Sequence, residues 1–449
     1  MQVDLIVLLP DAGGRIATVG RDGDDGPGRL PTVRIGLDPD ERALPPARRA
    51  IAEALGIDAP VLEVHVPAGV QGMDPVPMLI VFEAPGAGWQ LPDGAAWLEA
   101  DALDPDGVPD AIRARASDWL AEIAGATATP ALRAAWSRAG WLGRAAPWLD
   151  GVLRDNGRTR SGPVEQMRQW GISALLRTET DRGAVWVKAA YPHFAAEPRI
   201  TRVLADRFPG ALPRILGWND DEAWLALEDL GKAEVGDQRG DAIGTDAVRL
   251  LVHMQREMAA DTAALMGAGA AHRPLERLAD DLAAAFTEAP PPVEWRQSVQ
   301  RRAELVERVR ADAVELAGIG IAESLVHGDF HSGNVAVVDG RPVIFDWTDG
   351  AVSHPLVDFA TWVGYVDDPT QRPALWQAWV GAWSDVVPEA ELAPLYQQVL
   401  ALGSAYQVVS YAAILRGLER ATQAPMAHGA VDFANLLDAA VAAREGRSG

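Results

Sequence analysis

Apolar residues along this chain follow two rhythms, and the change between them divides it. In the first part, short apolar runs bounded by turn residues predict strands at Val3–Leu9, Val61–Val66 and Met78–Phe82, around one helical run at Pro46–Leu55. GRDGDDGPGRLP, from Gly20, is rich in turn formers and is expected to be loop. DAIRARASDWLAEIAG, from Asp110, has the period of an amphipathic helix. Trp136, Trp141 and Trp148 follow without a polar pattern beside them, so they are expected to anchor a connecting helix, closed by Asn156-Gly157 in a left-handed cap.

Three more strand-like runs come next, Val164–Trp170, Ala174–Thr180 and Ala184–Ala189, with a turn at Asp181-Arg182-Gly183 and a further apolar strand at Trp224–Leu227. Beyond them the period is helical: Thr245–Leu265, Pro274–Thr287, Val293–Leu316, then 356–366, 373–386, 389–418 and 431–445, with a Pro-rich link at Ala289–Pro292. Trp376, Trp379 and Trp383 recur at helical spacing and are expected in the core. One short hairpin interrupts the helices. Val335–Val338 reads as a strand, Asp339-Gly340 as its turn and Pro342–Phe345 as the return. These rhythms suggest a domain at 1–120, a helical connector at 121–160, a sheet region at 161–231 and a helical region at 232–449.

Composition narrows the classes. A chain of 449 residues is expected to hold two or three domains, and with no cysteine it has neither disulfides nor thiolate metal sites, which suits a cytoplasmic setting. The formal net charge of −23 argues against nucleic acid, whose phosphates need a basic face. An acidic surface favours cationic small molecules, although general solubility is the commoner reason for such charge. MQVDLIVLLPDAGG lacks a basic leader and its apolar run is short, so it is expected to be a strand and not a signal or membrane segment. With no run of about 18 apolar residues elsewhere, no membrane span is expected.

The chemistry concentrates in LVHGDFHSGNVAVVDGRPVIFDW, Leu325 to Trp347. The hairpin is expected to bring Asp329, Asn334 and Asp346 to one mouth, although Asp346 lies 17 residues beyond Asp329. Two carboxylates and an amide at one place suit phosphoryl transfer from a magnesium nucleotide: one carboxylate for the proton of the attacking hydroxyl, the amide and the other carboxylate as hard oxygen ligands. Asp and Asn are also ordinary turn residues, which accounts for Asp339-Gly340 well and for His327-Gly328-Asp329 poorly. Lys188 sits inside the apolar strand VWVKAA, where an unpaired ammonium is costly, so a phosphate or carboxylate partner is expected unless the side chain snorkels from a sheet edge. Glu197, opening a helix ahead of Pro198, is a candidate partner; helix-dipole stabilisation would also place it there.

HGDFHSGN followed by IFDW resembles the catalytic loop of the aminoglycoside phosphotransferase/choline kinase-like family, relatives of the protein kinases, over roughly residues 160–445. The resemblance implies an α+β, bilobal protein-kinase-like fold, with a small antiparallel-sheet lobe and a large helical lobe. It makes Asp329 the catalytic aspartate, Asn334 and Asp346 the metal ligands and His327 a buttress of the loop. Asp358, in HPLVDFAT, matches an aspartate that holds the loop from below. It also gives Lys188 and Glu197 to the nucleotide phosphates, Gly171 and Ser173 to the nucleotide loop without a full G-x-G-x-x-G, and the backbone near Leu227 and Asp229 to the adenine. Separately, Glu41 to Ile57 partly resembles the Nudix box, with Glu41, Arg49, Ile51, Glu53, Gly56 and Ile57 in register. Ile35 stands where the box has glycine, and Ala50 and Ala54 replace two glutamates. A Nudix-like α/β cap domain that has lost its metal site is therefore expected in front of the kinase-like part, with AWLEADALD (96–104) resembling the end of such a domain.

The resemblance implies Mg²⁺, ATP or GTP as donor, and a small-molecule hydroxyl acceptor such as a sugar, an aminoglycoside-like compound or an amino alcohol. Two alternatives stay open: a catalytically silent nucleotide-binding module, and a kinase fused to a working Nudix hydrolase. A protein kinase is disfavoured, since HPLVDFAT follows Asp346 too closely for an activation segment.

Overall fold

The computed structural model describes residues 1–449 apart from 22–23, 38–43, 68–72, 87, 104–107, 232–240, 289–292, 366–368 and 447–449. It divides into two compact units, Met1–Tyr191 with Leu418–Thr422, and Pro192–Gly417 with Gln423–Gly449. Both contain helices and strands, so the architecture is α+β as expected.

The first unit opens with β1 (Gln2–Leu8), β2 (Arg15–Arg21), β3 (Asp24–Arg29), β4 (Thr32–Gly36), α1 (Leu44–Leu55), β5 (Val61–His65), β6 (Val76–Phe82), β7 (Ala95–Glu99) and α2 (Asp110–Ile123). One sheet has the order β4-β1-β6-β5, with β1 parallel to β6; the other is β3-β2-β7. The apolar run of β1 is continuous because both its faces are covered. Val3, Leu5 and Val7 pack with Ala47 and Ile51 of α1, whereas Ile6 and Leu8 pack with Ile112, Ala116 and Trp119 of α2. The stretch expected to be loop instead carries the end of β2 and all of β3. Glycines weaken a strand, but Val19 pairs with Arg29 on one side and Ala95 on the other, and that ladder overrides propensity. Of the Nudix-like positions, Arg49, Ile51 and Glu53 lie on α1, with Glu53 exposed, and Ile35, at the glycine's place, lies in β4. Gly56 is left-handed at φ 65° and Ile57 is buried. Glu41 lies outside the described residues.

Then come α3 (Trp141–Asp155), β8 (Glu165–Gln169), β9 (Ser173–Thr178) and β10 (Val185–Ala190), the three strands antiparallel. Trp136 and Trp141 are buried anchors, as their pattern suggests, and Trp136 donates from Nε1 to the Trp170 carbonyl at 2.8 Å. A buried charge network ties the Leu418–Thr422 segment into this unit. Arg115 of α2 forks onto Glu63 of β5 and reaches Glu419 at 3.0 Å, while Arg133 donates to Glu419 at 2.6 and 3.2 Å. Trp119 completes it, donating to Glu63 at 2.9 Å and lying under the Arg133 guanidinium at 4.0 Å.

The second unit runs α4 (Glu197–Arg207), β11 (Ile215–Asn219), β12 (Trp224–Glu228), α5 (Asp241–Met258), α6 (Thr262–Gly267), β13 (Ala271–His272), α7 (Leu275–Glu288) and α8 (Val299–Ala317). It continues with β14 (Ser324–Val326), β15 (Val335–Val338), β16 (Arg341–Ile344), β17 (Ala351–Ser353), α9 (Asp358–Gly364), α10 (Arg372–Trp383), α11 (Glu389–Leu392), α12 (Tyr396–Gly417) and α13 (Ala424–Arg444). Several helix boundaries differ from expectation, among them the 389–418 run, which divides into α11 and α12. The Thr245–Leu265 run is split, because Asp261 leaves helical geometry at φ −142°. The helix expected from Val293 begins at Val299, where the Ser298 hydroxyl caps it by accepting the Arg301 N–H at 3.1 Å. The last helix starts at Ala424, with proline tolerated in its first turn. Trp376, Trp379 and Trp383 are buried in the core, as their spacing suggests. Among the described residues, Glu389–Gly417 is long and apolar enough to cross a membrane, but 83% of its most apolar window is buried inside the protein, so core packing accounts for it.

Candidate active site

The site is built by β14, the β15–β16 hairpin and the helices beneath them. β14 pairs with β17 and delivers the chain into His327-Gly328-Asp329. β15 and β16 pair from Val335↔Ile344 to Val338↔Arg341, and both turn residues, Asp339 (φ 51°) and Gly340 (φ 74°), are left-handed, as a two-residue hairpin turn requires. At the open end the Phe345 N–H donates to the Asn334 carbonyl at 3.0 Å, so the ladder runs up to the site. Asn334 and Asp346 therefore flank the same end of one hairpin. Asp346 itself is left-handed (φ 66°), uncommon for a residue with a side chain, and its Oδ1 accepts the Thr348 hydroxyl at 2.8 Å.

Asp358 fixes the loop from below. Its Oδ2 accepts the His327 N–H at 2.9 Å and its Oδ1 the Gly328 N–H at 2.8 Å, while the Gln255 amide donates to Oδ2 at 2.9 Å. Burial pushes the Asp358 pKa up to about 7, against the three donors, which favour the charged form. His327 spans the gap between loop and hairpin. Its Nδ1 accepts the Asp329 N–H at 3.3 Å, so Nε2 carries the proton and donates to the Phe345 carbonyl at 3.0 Å. Burial lowers the His327 pKa to about 4, keeping the ring neutral, and the ring packs 4.4 Å from Trp347. Gly328 sits at φ 80°, and a Cβ there would come within 2.5 Å of the Asp349 carbonyl oxygen. From α12, the Gln407 amide donates to the Gly328 carbonyl and to the Thr361 hydroxyl.

Asp329 stands above this base, with 30% of its side chain exposed. The Asn334 amide donates to the Asp329 carbonyl at 2.8 Å and to its Oδ2 at 3.1 Å, which turns the Asn334 oxygen away from Asp329. The other expected residues distribute as follows. In the first unit, Lys188 is buried in β10 opposite Leu175 of β9. Gly171 packs against Thr422, whose Oγ1 would meet an added Cβ at 3.0 Å, and Ser173 accepts from Trp170 Nε1 at 2.6 Å. In the second unit, Glu197 is buried as the first residue of α4. Leu227 pairs with Ile215, and Asp229 accepts the Gly231 N–H at 2.9 Å in a side-chain-closed turn. Asp367 and Asp368 lie outside the described residues.

Residues 175–389, which contain the loop, the hairpin and Asp358, match the family model described as "Phosphotransferase enzyme family". Over that stretch, a little under half of its length, the chain is similar to the phosphotransferase family. Among solved structures it is similar to a macrolide 2'-phosphotransferase type I (18% identity, TM-score 0.46, 64% of this chain and 96% of that one). It is also similar to a choline/ethanolamine kinase family protein from Mesorhizobium loti (14% identity, TM-score 0.47, 68% and 99%) and to a spectinomycin phosphotransferase in complex with ADP and spectinomycin (11% identity, TM-score 0.45, 65% and 98%). No curated protein matches the chain.

Several residues of the site carry no local sequence signal. His331 was visible in the loop without an assigned role; Tyr365 and Tyr411 come from after α9 and from α12. Gln407 did carry one hint, since it lies among apolar residues of α12 and a buried amide needs partners. For a magnesium ion, the donor chemistry fits: the Asn334 amide, whose N–H groups bond Asp329, and the Asp346 carboxylate at the same end of the hairpin are both hard oxygen donors. Among the described residues no cluster of three or more His, Asp or Glu side chains gathers for a metal. A pair of protein ligands suits Mg²⁺, which usually keeps water and phosphate oxygens in its remaining positions.

Proposed function

We propose that the protein is a small-molecule kinase that moves the γ-phosphoryl group of ATP or GTP onto a hydroxyl of its acceptor. The observation behind this is the meeting of Asp329, Asn334 and the hairpin end bearing Asp346, on a loop whose backbone is held by Asp358. In the reaction the acceptor oxygen forms a bond to the γ-phosphorus while the bond from that phosphorus to the bridging oxygen breaks, releasing the nucleoside diphosphate. The acceptor proton passes to the Asp329 carboxylate, which orients the attacking oxygen. Asn334 and Asp346 would hold Mg²⁺, which would supply positive charge to neutralise the phosphate oxygens. Lys188 and Glu197 are assigned to the phosphates, and backbone groups near Leu227 and Asp229 to the base. Preorganisation is the strength of the arrangement: Asp329 is aimed by bonds that exist before any ligand arrives.

The N-terminal residues 1–120 serve in this proposal as a Nudix-like, non-catalytic cap. Glu53 is exposed on α1 and alanine stands at positions 50 and 54, so the carboxylate cluster a pyrophosphatase needs is not on that helix. The test is a panel of sugars, aminoglycosides and amino alcohols assayed for acceptor-dependent ADP or GDP release. Release with one acceptor class, and a phosphorylated product by mass spectrometry, is expected. Nucleotide binding with no transfer to any acceptor would instead favour the silent module.

A further inference from the structure

Beside Asp329 the structure holds an aromatic relay that the proposed mechanism has not used. His331 Nδ1 accepts the Gly333 N–H at 3.0 Å, so that nitrogen bears no proton and the neutral ring carries it on Nε2. Nε2 lies 3.5 Å from Asp329 Oδ2, the oxygen that already accepts from Asn334 at 3.1 Å. The Tyr365 ring stacks on the imidazole, centroids 4.2 Å apart and planes 21° from parallel. Tyr365 in turn shares a hydrogen bond with Tyr411 of α12, whose ring stacks on Phe433 of α13 at 5.9 Å. The sequence makes room for this arrangement twice. A Cβ on Gly333 would come within 2.8 Å of the His331 ring, and one on Gly429 within 2.4 Å of the Tyr411 ring.

We infer that His331 is a positioning residue for the catalytic aspartate, held on line by the Tyr365 stack and its Tyr411 bond. This rests on the kinase reading above and deepens it. With Asn334 bonded to Oδ2 and His331 Nε2 3.5 Å from the same oxygen, the carboxylate is restrained in rotation, and Oδ1 is the oxygen presented to the acceptor hydroxyl. Tyr365, 46% exposed, forms the open side of this wall, so the acceptor is expected to meet its ring edge on approaching Asp329. Tyr365 directly follows α9 and Tyr411 lies in α12, so the relay also makes the seating of α12 against α9 part of how Asp329 is aimed.

The experiment compares His331→Asn, His331→Gln and Tyr365→Leu with the wild type, using an acceptor found by the panel and following nucleotide KM, acceptor KM and kcat. An asparagine oxygen can still accept the Gly333 N–H and keep the turn, but it offers no donor to Asp329; a glutamine amide reaches the position of Nε2. His331→Asn should lower kcat about 10- to 100-fold at unchanged nucleotide KM. His331→Gln should restore part of that kcat, and Tyr365→Leu should lower kcat and raise acceptor KM. Wild-type kcat in His331→Asn, or a Gln variant no better than Asn, overturns the positioning role while leaving the kinase reading intact. A wild type without acceptor-dependent transfer overturns both.

Discussion

Replacing Asp358 with Ala should uncouple the catalytic loop from the body of its unit. The carboxylate is buried and accepts the His327 and Gly328 N–H groups and the Gln255 amide. Truncation leaves two buried backbone donors without their partner, at about 1–3 kcal/mol each, so about 2–6 kcal/mol in all. Against the usual few kcal/mol of net stability this is large, and it should lower Tm by on the order of 10 °C. Because those donors fix the residues just before Asp329, kcat should also fall, by about 100-fold if the carboxylate moves by 1 Å. The pH dependence adds a sign. Burial raises the Asp358 pKa to about 7 from an unfolded value of about 3.9, so the folded protein holds an extra proton between those values. Its contribution to stability is complete below about pH 4 and lost as pH rises through 7. Asp358→Asn, permanently neutral, should therefore lose less relative to wild type at pH 8 than at pH 5. Thermal melts by circular dichroism at the two pH values, with kcat from coupled ADP release, decide it. An Asp358→Ala protein with wild-type Tm and kcat would refute the reasoning.

Three further outcomes follow from the same geometry. Gly328→Ala should abolish turnover and lower Tm, since the added Cβ would lie 2.5 Å from the Asp349 carbonyl oxygen at φ 80°; activity assays and melts check both. His327 and His354 are buried, and burial depresses their pKa values to about 4 and about 3. Each adds stability that is full above about pH 6.5 and lost as pH falls through the folded value, so acid denaturation should set in below pH 6.5, and His354→Gln should flatten it in urea titrations. Glu419→Ala should take one shared carboxylate from the buried network, leaving Arg115 on Glu63 and Arg133 on Glu122, at a cost of about 1–3 kcal/mol read as a lower denaturant midpoint; an unchanged midpoint would contradict the network's role.

Much of the site could be read from sequence because it is local. Asp339-Gly340 announces a two-residue turn, and that turn carries Asn334 and Asp346 to the same end of the hairpin. The continuous apolar runs of β1 and β6 and the periodicity of α2 were legible for the same reason, since each pattern is set by the faces it buries. What escaped was decided at a distance. β3 is glycine-rich and forms because β2 offers it a ladder, not because its residues favour a strand. α8 starts six residues late because one serine side chain caps it there. Tyr365 and Tyr411 reach His331 only through the packing of α12 on α9, and no spacing in the sequence records that contact.

The central claim is that Asp329 takes the proton of an acceptor hydroxyl during phosphoryl transfer. Its most direct test is the turnover of Asp329→Ala and Asp329→Asn with a competent acceptor, alongside nucleotide affinity by calorimetry. Loss of kcat by several orders of magnitude with nucleotide affinity retained is predicted. Turnover near the wild-type rate in either variant would contradict the account.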